Sequence, residues 1–136
     1  MKNIKITELD YARLKKAILH AREKYEADVN NLDNLAFEIR RAEKLDSKKI
    51  PPNVITMNSK VKLLNKKSKK ETTIKIVYPK EANFKNGSVS ILSPLGIALL
   101  GNEAGKEVSF NAPSGNIQMI IQEIEYQPES NGDYLV

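Results

Sequence analysis

The sequence predicts an α+β protein, with an N-terminal antiparallel helical hairpin followed by a small antiparallel β-sheet that carries one short helix. Three observations lead there. Apolar residues in the first 46 positions recur with helical period, Pro51 and Pro52 then stop any helix, and from Val54 onward the apolar period becomes that of strands. The boundaries that follow are residues 1–49 for the hairpin and 50–136 for the sheet domain.

In the first helix Tyr11, Leu14, Ile18, Ala21 and Tyr25 are spaced alternately by three and four, the period of a seam facing a second helix. Thr7, with Asp10 three residues on, is a candidate N-cap and a weaker form of the capping box. A second seam follows in Leu32, Leu35, Ile39 and Ala42. Between them, Ala27 to Asn31 is poor helix interior and good turn material, and Asn30 with Asp33 would start the second helix. The heptad phase runs on through this gap with Asp28 in a seam position, as one long helix would have it. A charge there favours a break, and a hairpin buries both stripes within a single chain, so a monomer is expected. Each arm would be ~27 Å long for ~18 residues at 1.5 Å rise.

Beyond the prolines, Val61 and Leu63 alternate with Lys60 and Lys62, and Ile74, Ile76 and Tyr78 with Thr73, Lys75 and Val77, as strands with one buried face require. A lysine-rich loop joins them as a hairpin. Asn86-Gly87 marks a turn before Val89 and Ile91. Pro94 suits a first helical position, Leu95, Ala98 and Leu99 give a short helix one apolar face, and Gly101 can close it. Gly105 precedes a strand with Val108 and Phe110, and Pro113-Ser114-Gly115 turns the chain into the last one. There Ile117, Met119 and Ile121 share one face but Ile124 and Tyr126 the other, a slip that implies a bulge near Gln122 and Glu123.

Composition excludes several chemistries. Cysteine is absent, so disulfides, thiolate metal sites and cysteine nucleophiles are out of reach, and the single histidine, His20, lies mid-helix with no nucleophilic motif beside it. No apolar run approaches the ~20 residues that span a bilayer, and Met1 to Lys5 lacks the features of a signal peptide, so a cytoplasmic protein is expected. The net charge of +5 is uneven: Lys60, Lys62, Lys66, Lys67, Lys69, Lys70 and Lys75 crowd one segment, opposed there only by Glu71. Such a patch suits a phosphate backbone or an acidic protein face. It equally suits an exposed hairpin kept soluble and out of edge pairing, and no aromatic residues are interleaved to stack on bases.

The runs Val54-Ile55-Thr56-Met57-Asn58-Ser59-Lys60-Val61, Val77-Tyr78-Pro79, Ser93 to Gly101 (SPLGIALLG) and Glu125-Tyr126-Gln127-Pro128-Glu129, with the tail Asn131-Gly132-Asp133-Tyr134, resemble in order the regulator of nucleoside diphosphate kinase family, relatives of the Gre transcript-cleavage factors. The likeness covers most of residues 50–136, and the helical half agrees mainly in layout. It implies an FKBP-like C-terminal fold and docking on RNA polymerase at the rim of the secondary channel, with the arm directed toward the channel. The Gre polymerase contact carries over to Ser93 and Pro94, with Leu95 as an apolar neighbour. Leu92 departs from the Asp or Asn common in the Gre factors.

Glu26, Asp28 and Asp33 surround the hairpin turn, where Gre factors carry the acidic residues that help hold a catalytic Mg²⁺ in the polymerase. Paired carboxylates could lower the pKa of a metal-bound water. The arm is expected to be several turns shorter than the Gre arm, and a carboxylate that does not reach the metal contributes nothing to it, because coordination requires ~2.0 to 2.1 Å. The resemblance therefore implies a regulator that is not an enzyme and needs no cofactor, and that competes with Gre-type factors. Transcript cleavage and a basic nucleic-acid-binding module are the alternatives. Proline isomerisation rests on fold alone.

Overall fold

The computed structural model describes residues 4–25 and 27–134. Helix α1 spans Glu8–Lys24 and helix α2 Val29–Arg41, so the hairpin forms and the single long helix does not. At 1.5 Å per residue they are ~26 and ~20 Å long. Thr7 caps α1, its Oγ1 accepting the Asp10 N–H at 3.0 Å. Leu14, Ile18 and Ala21 of α1 and Leu32, Leu35 and Ile39 of α2 are buried, the two stripes that the spacing predicts.

The turn between them differs from expectation in two residues. Tyr25 leaves the seam: it adopts a left-handed conformation (φ 53°) that ends α1, and it is 92% exposed. Asp28, not Asn30, caps α2. From an extended conformation its Oδ1 accepts the N–H groups of Asn30 at 2.8 Å and Asn31 at 3.3 Å, and so places Asn30 inside the helix.

The base of the arm is not helical. Strands β1 (Lys5–Thr7) and β2 (Glu43–Leu45) pair in parallel, Ile6 opposite Lys44, which corrects the helical reading of residues 43–46. Ala42 turns extended and ends α2, and a three-residue strand is too short to display a period of its own.

The second sheet has the order β5-β4-β3-β7-β6, built from β3 (Lys60–Asn65), β4 (Glu71–Val77), β5 (Ser88–Ser90), β6 (Glu107–Ala112) and β7 (Gly115–Tyr126). It is mixed rather than purely antiparallel, because β5 runs parallel to β4. Two single 3₁₀ turns, Pro79–Glu81 and Phe84–Asn86, reverse the chain before the Asn86-Gly87 turn reverses it again. Against β3, the register of β7 slips at Gln122, as the pattern predicts, and once more at Glu125. Two extra residues on one strand raise its twist, and the sheet curls.

Helix α3 (Pro94–Leu99) packs on β6 and on α2. One continuous core links arm and sheet: Leu14 and Leu35 belong to the same cluster as Ile55, Met57, Leu63, Ile76, Leu99 and Ile121. Among the described residues no helix is long and apolar enough to cross a membrane.

Candidate functional site

The corner from Ser90 to Gly96 is held by a dense set of short-range bonds. The Ser93 hydroxyl accepts the Gly96 N–H at 3.2 Å and donates to the Ser90 carbonyl at 2.7 Å, while Ser90 Oγ accepts the Leu92 N–H at 3.1 Å. Pro94 occupies a first-turn position of α3, where its fixed φ suits the helix. Gly96 is required by contact: a Cβ there would lie 2.4 Å from the Ser90 carbonyl oxygen and 2.9 Å from Ile91 Cα. Gly101, at φ +80°, follows the helix with Ile4 against it.

Within this corner the three residues singled out by resemblance differ. Pro94 is exposed, while Ser93 and Leu95 are half-buried. The Ser93 hydroxyl is committed within the corner, although one lone pair is left to it. Leu92 is buried and belongs to the core cluster, which explains an apolar residue in that position. A groove of about 450 Å³ adjoins Pro94, with Ile97 and Ala98 on one wall and Asn31, Asn34 and Glu38 of α2 on the other.

At the tip of the arm, Glu26 lies outside the described residues. Asp28 is occupied as the α2 cap, and Asp33 accepts from Arg22 Nη2 at 2.9 Å in an exposed ion pair. The apolar side chains of Tyr25 and Val29 are exposed beside them. Among the described residues no group of three or more His, Cys, Asp and Glu gathers that could hold a metal ion. His20 is exposed on α1 and lines a small apolar recess with Ala17, Tyr78 and Leu92.

Sequence reasoning did not find the joint between arm and sheet. Asp10, 2% exposed, accepts the Met57 N–H on Oδ2 at 3.1 Å. Burial pushes its carboxyl up to about 7, against the opposing pull of the Met57 N–H, with Glu129 adding to the rise and Arg13 resisting it. Glu129 is itself pushed up by burial while it accepts the Thr56 hydroxyl at 2.7 Å. Tyr78 is raised well above the ordinary phenol value by burial and by Asp10. Gln127 locks the linker from the other side, its Nε2 donating to the carbonyls of Pro51 and Val54, both at 2.7 Å. The available signal was Asp10 one turn before Leu14, a carboxylate on the buried stripe. The Asp10–Met57 bond ties the arm to the segment that leads into β3, and the Glu129 and Gln127 bonds tie that segment to the chain that follows β7.

This is the architecture of a short-armed member of the transcript-factor class, and comparison with known proteins agrees. The family described as "Transcription elongation factor, GreA/GreB, C-term" matches residues 50–126. The chain belongs to the GreA/GreB superfamily, within its regulator of nucleoside diphosphate kinase subfamily. It is 36% identical over 105 residues to the regulator of nucleoside diphosphate kinase of Escherichia coli (strain K12), covering 76% of this chain and 77% of that protein. It is 34% identical over 107 residues to the transcription elongation factor GreA of Thermodesulfovibrio yellowstonii, covering 79% and 68%. A solved structure of a prokaryotic transcription elongation factor GreA/GreB from Nitrosomonas europaea superposes with a TM-score of 0.76 at 35% identity, over 91% of this chain and all of that one.

Proposed function

We propose that this chain is a non-catalytic transcription regulator that docks on RNA polymerase near its secondary channel, where it competes with Gre-type factors. The observation that carries this reading is the corner at Ser93, Pro94 and Leu95, pinned by the Ser93 and Ser90 hydroxyls within the segment that defines the family. A corner held before binding loses little conformational freedom on docking. Residues 50–136 form the docking domain, of FKBP-like fold, and residues 1–49 the arm, which points toward the channel. The chain acts as a monomer in the cytoplasm.

The non-catalytic part of the reading rests on the tip. A carboxylate already capping a helix, and one already paired with arginine, must give up those partners before either ligates a metal. An arm of about 26 Å also sets a limit on reach.

The test is retention of purified core RNA polymerase by the tagged protein, compared with Pro94→Glu. Glutamate in the first turn of a helix is well tolerated, so this change alters the exposed surface and leaves α3 intact. Retention by the wild type and a loss of at least about tenfold in the variant are expected. No retention by the wild type, at low ionic strength, would remove the reading. Mg²⁺-dependent shortening of the transcript in backtracked complexes, abolished by Asp28→Ala or Asp33→Ala, would replace it with a cleavage factor.

A further inference from the structure

Residues 60–75 hold seven lysines against one glutamate, a net +6, whereas the whole chain nets +5, so everything outside this segment is left at −1. The positive charge of the protein is therefore a local feature, and it has an address in the fold. Lys60 and Lys62 stand on the outer side of β3, Lys75 on the outer side of β4, and Lys66, Lys67, Lys69 and Lys70 in the loop that joins the two strands. Together they form a strip on the order of 20 Å long at the rise of a strand.

Two features argue that the strip is more than a solubility device. Lysines are commonly placed on edge strands to prevent unwanted pairing, but Lys60 and Lys62 stand on β3, an interior strand between β4 and β7, and at Lys75 β4 is covered by β5. And Lys60 stands directly opposite Lys75 in the ladder, a like-charge pair that costs stability in the free protein. The acidic neighbours neutralise only part of the strip: Lys62 pairs with Glu71 at 3.7 Å and Lys66 with Glu107 at 3.1 Å, and Glu123 lies opposite Lys62 in register. Lys60, Lys67, Lys69, Lys70 and Lys75 have no carboxylate partner among the described residues.

The loop is also preformed. Asn65 Oδ1 accepts the N–H groups of Lys67 at 2.9 Å and Ser68 at 3.1 Å, its carbonyl accepts the Lys69 N–H at 2.8 Å, and Lys69 takes a left-handed turn (φ 63°). The ammonium groups are thus displayed from a fixed backbone. Between them lie hydroxyls, from Ser68, Thr72 and Thr73, and no exposed large apolar side chain. Protein interfaces draw their affinity from buried apolar and aromatic anchors, whereas a nucleic-acid backbone is held by cations and hydroxyls alone.

We propose that the outer face of the β3–β4 hairpin is a contact surface for the phosphate backbone of a nucleic acid. Recognition is led by charge, because the face offers chiefly ammonium groups and phosphate contacts carry no sequence information. The contact is separate from the Ser93-Pro94 corner, so either can fail without the other.

The test is fluorescence anisotropy of the full chain with a labelled 20-nucleotide single-stranded RNA and, in parallel, a 20-base-pair DNA duplex, as a function of salt. Five unpaired lysines at about 0.7 released counterions each give a single-strand salt slope of about −3.5, or a roughly 130-fold loss of affinity between 50 and 200 mM salt. In K67E/K69E/K70E the affinity falls at least tenfold and the slope shrinks toward −1. The milder K67Q/K69Q/K70Q shows the same change of slope with no added repulsion. As a control of equal charge, K15E/K16E/K24E on α1 changes affinity by less than about threefold. Equal losses in the hairpin and arm variants, no binding of either nucleic acid at 50 mM salt, or tighter binding of poly-glutamate than of RNA, would each overturn the proposal. The RNA and duplex arms together decide which nucleic acid is preferred.

Discussion

Asp10 sits where a charge is least expected, on the buried stripe of α1, and its environment makes its ionisation part of the stability of the protein. Its carboxyl titrates at 3.8 ordinarily and at about 7 here, with burial the largest cause. Between those values the native state binds more protons than the unfolded chain. Stability therefore falls as pH rises through that window, by at most about 1.4 kcal/mol per pH unit, and the contribution present below pH 4 is gone above 7. Glu129 is shifted in the same direction and adds to the trend. Asp10→Asn keeps an oxygen to accept the Met57 N–H but cannot ionise. Its stability relative to wild type should thus be at least about 1 kcal/mol more favourable at pH 8 than at pH 5, measured by urea unfolding at the two values. The same difference at both pH values would mean that the carboxylate keeps its water.

At the scale of elements, legibility followed length. Helices α1 and α2 were legible because Leu14, Ile18, Leu32, Leu35 and Ile39 repeat their period over several turns, and the slip near Gln122 because β7 is twelve residues long. The pairing of β1 with β2 was not, since neither three-residue strand can show a pattern, and the parallel course of β5 depends on two 3₁₀ turns with no distinct signature. The turn cap was misplaced by two residues because Asp28 and Asn30 are equally good caps, and backbone conformation alone decides between them. Of the site, the Ser93-Pro94 corner was visible in sequence, but the hydroxyl bonds that close it were not. Gly96 shows how tightly α3 is set on the end of β5. Because the clash of an added Cβ would be with backbone atoms, Gly96→Ala should destabilise the protein by about 1 to 3 kcal/mol despite the better helix propensity of alanine. A rise in stability on chemical denaturation would show that the helix can shift away from Ser90, and that the corner is less rigid than its bonds imply.

At the scale of the whole molecule, the division into arm and sheet domain is one of topology, and the packing argues that the two fold together. The Lys5 N–H donates to the Gly101 carbonyl at 3.2 Å, Asp10 holds Met57, and the core cluster runs from Leu14 and Leu35 into Met57, Leu92 and Leu99 without a gap. Separating the parts would uncover those side chains at roughly 25 cal/mol per Å² of apolar surface and leave the Asp10 and Met57 groups to water. A short helical pair with no partner has little stability of its own, because most helical stability comes from tertiary packing. The arm should therefore lose its structure only when the sheet does. In native-state hydrogen exchange, the amides of Leu35 in α2 and Leu63 in β3 should approach the same opening free energy and the same dependence on urea. Were Leu35 to exchange through an opening several kcal/mol easier, the arm would be a separately melting element, able to change its angle to the corner, and the polar joint at Asp10 would be a hinge instead of a lock.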